Sequence, residues 1–237
     1  TRGDMVAITQ AEWIMQRLML APPLLLSLVI HEYAHARTAL AFGDPTAKNM
    51  GRLTLNPIAH LDPFGTLAIL IANFGWAKPV PVNPYNLHPR GTADILVSLA
   101  GPASNLLIAL VMGVTLRLIY VYHGVPARGT FMDSVDHLLL ITMLVNILLC
   151  VFNLIPLFPL DGHHIVREKL PHHKQQAFMD WQLQYGRYVL LGLIAGPMIL
   201  RNVNPGLLQA YPFLNPLGML FRHAYMTALE ILYAGLW

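Results

Sequence analysis

Leu24-Leu25-Leu26-Ser27-Leu28-Val29-Ile30-His31-Glu32-Tyr33-Ala34-His35 decides how this chain is read. An apolar run ends in three ionisable side chains within five residues. Such groups at membrane depth are costly to desolvate, and a chain retains them for function. On a helix, residues four apart share a face, so His31 and His35 can reach one metal ion with Glu32 beside them. This composition gives about 0.01 chance occurrences of His-Glu-x-x-His. Two imidazoles and one carboxylate would leave a zinc ion one open position for water. Zinc lowers the pKa of that water to about 7, and Glu32 can take its proton.

The rest of the chain has the composition of a bilayer protein. Of 237 residues 55% are hydrophobic, and the mean hydropathy is +0.51. Only 11% are charged, against about a quarter in soluble domains, too few to cover a soluble surface. The net charge of +3 is small. Its basic residues sit in loops, which fits orientation in a membrane and argues against nucleic-acid binding. The lone Cys150 excludes an internal disulfide and reads as a small buried hydrophobe. The first apolar segment is too long for a signal peptide and has no small-residue cleavage site, so it is read as retained.

The expected fold is an all-α polytopic membrane protein, one domain over residues 1–237. It has about five transmembrane helices plus a re-entrant, strand-containing segment. The spans run roughly over Trp13–Phe42, Ala93–Tyr122, Val135–Leu160, Tyr185–Leu200 and Leu214–Trp237, each near the 20 residues a bilayer takes. The core is roughly 11–165, and extra C-terminal helices occupy roughly 184–237. Between the first two spans, Asp44–Pro89 holds seven prolines. Arg52-Leu53-Thr54-Leu55 and Pro79-Val80-Pro81-Val82-Asn83 read as extended edge pieces. The apolar stretch Phe64–Trp76 reads as a dip into the membrane against a wet cavity.

A third ligand must come from elsewhere. Asp161 follows Asn153-Leu154-Ile155-Pro156-Leu157-Phe158-Pro159-Leu160, where two prolines break a long apolar helix. His163 and His164 are rivals, since imidazole suits zinc equally, and Asp161 before Gly162 can also be a plain turn residue.

Five segments in order resemble the site-2 protease family of intramembrane metalloproteases. They are His31 to His35, Gly51-Arg52-Leu53-Thr54-Leu55-Asn56-Pro57, Gly75 to Pro84, Ala100-Gly101-Pro102-Ala103-Ser104-Asn105, and Asn153 to Gly162. The resemblance covers about residues 31–165. It implies one zinc per chain on His31, His35 and Asp161, with Glu32 as catalytic carboxylate. It also implies that Asn105, Asn153 and Pro156 shape the substrate-facing core. His163 and His164 depart from the small or basic pair common after the Asp-Gly, which leaves a further metal contact open.

Parity constrains the topology. His31 and His35 lie late in the first span and Asp161 ends the third, so they meet only if Phe64–Trp76 returns to the face it left. That face carries Arg37, Lys48, Arg52, Lys78, Arg90, Arg167, Lys169 and Lys174, against Arg2, Arg17, Arg117 and Arg128 on the other. The positive-inside rule then sets the zinc nearer the cytoplasm, the N-terminus outside and the C-terminus inside. A multi-pass protein of a prokaryotic cell membrane is expected, working on transmembrane protein substrates within the lipid bilayer, with homo-oligomers allowed. The substrate helix must unwind, and Val80 and Val82 offer an extended edge to it. Two other readings use the same residues. A membrane zinc transporter would need a second polar set in the spans, which the sequence lacks. A catalytically inactive binder of transmembrane segments would have no use for Glu32.

Overall fold

The computed structural model describes residues 10–72, 75–204 and 206–234. Arg2, residues 73–74 of the expected dipping segment and the end of the fifth span at Trp237 lie outside them. The described residues are mostly helical. In chain order the helices are α1 Gln10–Ala41, α2 Thr46–Asn49, α3 Pro63–Ala72, α4 Arg90–His123, α5 Phe131–Asn153, α6 Gly162–Lys169, α7 His172–Trp181, α8 Arg187–Val203, α9 Leu207–Ala210 and α10 Pro216–Tyr233. A π turn at Gln182–Gly186 joins α7, which His172 and His173 open, to α8 in one run. Among the described residues, three helical runs are long and apolar enough to cross a membrane: Arg90–His123, Phe131–Asn153 and His172–Val203.

Helix α4 is the central element. It buries Ala93, Val97, Gly101, Asn105, Ala109, Leu116 and Tyr120, a stripe at helical spacing that packs on α1 and α5. Its opposite side exposes Leu106, Leu107, Leu110, Val111, Val114 and Leu118, a continuous apolar face that suits lipid. α4 ends where Gly124 takes φ 74° and returns its N–H to Tyr120 O. α5 then starts on Thr130, whose hydroxyl accepts from the Asp133 N–H. α5 stops at Asn153, earlier than the expected Leu160, because Pro156 and Pro159 interrupt the chain beyond it.

The direction of α10 differs from five alternating crossings. Phe221 lies against Phe152 at the end of α5 nearer Asp161. At the other end, Tyr233 stacks on Tyr120 and Arg117 donates to Leu232 O. α10 therefore runs parallel to α4 and ends away from His31, His35 and Asp161. Leu190 and Ile194 of α8 line the same cavity as Asn215 and Leu217 at the start of α10. Hydropathy reports how apolar a helix is. It does not report which end of the bundle the next helix starts from.

The segment between α1 and α4 returns on itself. Helix α3 has ten residues, about 15 Å at 1.5 Å per residue and half the roughly 30 Å of a bilayer core. Its flanks meet: Leu61 bridges Ala77, and Lys78 N–H donates to His60 O at 2.8 Å. That isolated bridge is the only β pairing among the described residues, so the expected strands at Arg52–Leu55 and Pro79–Asn83 do not form. Prolines at 79, 81 and 84 leave too few N–H donors for a ladder. The Arg52 guanidinium instead ties the two pieces by donating to the carbonyls of Lys78 and Pro79. Asp44, fully buried, anchors the far end by accepting from Asn83 N–H at 2.7 Å and Asn86 Nδ2 at 2.9 Å.

Candidate active site

His31, Glu32 and His35 sit on the last turns of α1, all buried. Their neighbours on α4 fix both rings. His35 Nδ1 donates to Val97 O at 2.7 Å, a carbonyl that can only accept. His31 Nδ1 pairs with Asn105 Oδ1 at 2.6 Å. The Asn105 amide is oriented in turn, since its Nδ2 donates to Asn146 Oδ1 at 2.8 Å and Ser27 O at 3.4 Å. Asn146 Nδ2 closes the network on Ser27 Oγ and Thr142 O. With the protons held on Nδ1, both Nε2 atoms carry lone pairs.

Those two Nε2 atoms face each other at 3.0 Å, and Asp161 Oδ2 lies 3.3 Å from each. No other cluster of three or more ligating side chains forms among the described residues. With both imidazoles neutral, three atoms bearing lone pairs converge, and buried Asp161 Oδ2 has no hydrogen-bond partner among the described residues. A cation resolves this. Ligand atoms 2.0–2.2 Å from a tetrahedral zinc lie about 3.3–3.6 Å apart, close to the observed spacing. The residues fit a zinc ion.

The rival histidines are engaged elsewhere. His163 is buried and its Nδ1 donates to Leu160 O at 2.5 Å. Burial, with His164 beside it, holds its imidazole down to about 4. His164 Nδ1 lies 3.5 Å from Asp94 Oδ2. Asp94 also accepts from Arg167 Nη2 at 2.6 Å, an ion pair that ties α6 to the start of α4. That pair and Asn146 escaped the sequence reading. Asn146 had a visible signal, a lone amide in an otherwise apolar stretch. The Asp94–Arg167 pair had none, because 73 residues separate its members.

Gly101 passes directly beneath the imidazoles. A Cβ there would stand 2.4 Å from His35 Nε2 and 2.5 Å from His31 Cε1. Gly101→Ala is expected to weaken zinc binding about tenfold or more, the scale of a misfit costing 1–3 kcal/mol. Zinc competition against a chelator checks this, and unchanged affinity would mean that α4 yields freely.

His31, His35 and Asp161 border a cavity of about 970 Å³, lined mostly by apolar side chains of α1, α5, α8 and α10. Glu32, Val80, Val82 and Asn153 line it too. Val80 N–H donates to Glu32 Oε2 at 2.8 Å, while Val82 N–H has no partner among the described residues. Asn153 Nδ2 caps Leu149 O. Pro156 is exposed and away from the cavity, and its carbonyl accepts from Gln182.

Comparison with known proteins agrees with this chemistry. A profile of Peptidase family M50 matches residues 118–193, which include Asp161. The chain is 45% identical over 175 residues to a protein named as zinc metalloprotease YwhC of Bacillus subtilis, covering 74% of this chain and 79% of that one. It is 33% identical over 184 residues to one named as zinc metalloprotease Rip2 of Mycolicibacterium smegmatis, covering 75% and 66%. No solved structure matches. The chain belongs to Peptidase family M50, the site-2 protease family of intramembrane zinc metalloproteases.

Proposed function

We propose that this zinc metalloprotease hydrolyses peptide bonds within transmembrane segments of other proteins, with His31, His35 and Asp161 holding the metal and Glu32 as general base. The observation that carries this reading is the convergence of the three ligand atoms and Glu32 on one wall of an apolar cavity of about 970 Å³. Its lining suits an apolar segment.

Zinc bound there supplies Lewis acidity, polarising the scissile carbonyl and acidifying water. Glu32 takes a proton from the attacking water as the new C–O bond forms. It returns that proton to the amine as the C–N bond breaks. Val80 N–H keeps the Glu32 carboxylate aimed, and the Val82 N–H, without a partner among the described residues, supplies a main-chain donor to an unwound substrate. Asn105 keeps His31 in the ligating tautomer.

The membrane path we propose has α1, α4, α5 and α10 crossing alternately. The α7–α8 run lies against the cavity, and the Asp44–Pro89 segment is re-entrant. The joined ends of α3 and the direction of α10 support it. The charge asymmetry supports a metal site nearer the cytoplasm in a prokaryotic cell membrane.

The test uses zinc-loaded protein in liposomes with two transmembrane peptides differing only by a helix-breaking glycine or proline near the cut. Cleavage inside the apolar segment is expected, faster for the helix-broken peptide, since an intact helix hides its carbonyls. Rates indifferent to helicity would sink the unwinding step. Zinc flux without cleavage would favour a transporter.

A further inference from the structure

We infer that Gln182, on the C-terminal helical run outside every zinc-ligand motif, is a positioning residue that holds Asp161 in ligand geometry by clamping its loop. This rests on Asp161 being a zinc ligand.

Residues 154–161 must place one carboxylate against two imidazoles without the support of a regular element. The loop meets part of its own backbone demand: Ile155 N–H reaches Phe152 O, Leu157 N–H reaches Ile155 O, and Leu160 N–H reaches Leu157 O. Pro156 and Pro159 have no N–H to give. Among the groups still to be met are the Phe158 N–H and the Pro156 carbonyl, three and five residues before Asp161. Gln182 serves both with one side chain. Its Oε1 accepts from Phe158 N–H at 2.8 Å, and its Nε2 donates to Pro156 O at 2.8 Å.

Gln182 is 1% exposed, so its own amide is sheltered from water and depends on these two partners. It opens the π turn Gln182–Gly186, a widened turn of the kind that often marks functional positions in helices. Gly186 lets the loop come close, since a Cβ there would lie 2.7 Å from Gln182 Oε1 and 3.1 Å from Phe158 Cβ. On its other side Phe158 meets the edge of the His163 ring at 5.5 Å, two residues past Asp161. Phe158 is thus held between the π turn and α6, and Asp161 lies between those two supports. This gives the C-terminal run a task in catalysis that its apolar sequence does not announce. Only glutamine's neutral donor-and-acceptor amide, at this length, matches one N–H and one carbonyl together.

The experiment measures zinc affinity by chelator competition on the full-length protein, together with activity at saturating zinc. Gln182→Leu is expected to lose about 10–100-fold in zinc affinity, the usual cost of removing a residue that orients a ligand. At saturating zinc its kcat should return to within about threefold of wild type, because Gln182 touches neither substrate nor metal; a kcat that stays lower would put Gln182 in the catalytic machinery. Gln182→Glu keeps the acceptor for Phe158 and loses the donor to Pro156, so an intermediate loss is expected. It also decides the matter if Gln182→Leu does not fold. Wild-type zinc affinity in either folded variant overturns the inference. Asp161→Ala is measured alongside. If it too keeps full affinity, the ligand assignment has failed; if it alone loses zinc, only the role of Gln182 has failed.

Discussion

Glu32→Gln is expected to keep its zinc and lose cleavage by 10²–10⁴-fold or more, the range for removal of a general base. The geometry makes this a clean substitution. Glu32 is not among the converging ligand atoms, and its carboxylate accepts a hydrogen bond from Val80 N–H. A glutamine carbonyl oxygen accepts that bond equally well, so the 75–84 segment should keep its place over the cavity. An amide cannot take a proton from water. Zinc content is read by metal analysis and turnover by cleavage of a transmembrane peptide. Activity within about tenfold of wild type would remove Glu32 from the base role.

Asp161→Ala is expected to lower zinc affinity by more than the 10–100-fold that follows loss of a ligand's supporting partner. One of three converging atoms disappears, and the two Nε2 lone pairs at 3.0 Å are left without an anionic neighbour. His164→Ala is expected to bind zinc nearly as wild type does, because its ring faces Asp94 and not the ligand cluster. Both variants are measured by chelator competition. Retained affinity in Asp161→Ala, with loss in His163→Ala or His164→Ala, would reassign the third ligand.

These two predictions draw on different layers of the molecule. The His31–Glu32–His35 constellation was legible because helix geometry alone sets residues four apart on one face, and no tertiary fact is needed. The membrane class was legible because a chain with 11% charged residues cannot cover itself in water. Asp161 was nameable as the leading third-ligand candidate, but residue type set it only moderately ahead of His163 and His164. Their separation depends on which atom points where: Asp161 Oδ2 faces both imidazoles, while His163 turns to Leu160 O. The return of the Asp44–Pro89 segment followed from parity, and the bridge between Leu61 and Ala77 agrees with it. Its expected strands failed because three prolines remove donors and Val80 N–H is committed to Glu32.

What the sequence by itself determined is therefore local or bulk: the apolar composition, the ligand pair at helical spacing, the helix breaks at Pro156 and Pro159, and the need for a non-spanning segment. What only the tertiary structure decided is long-range. Asn105 and Asn146 meet Ser27 across three helices, Gln182 holds a loop 24 residues earlier in the chain, and α10 runs parallel to α4. The physical reason is common to all three. Periodicity and hydropathy act within one element, whereas a buried amide takes whichever unpaired donor or acceptor the packed neighbours present, and that choice exists only once the helices are together.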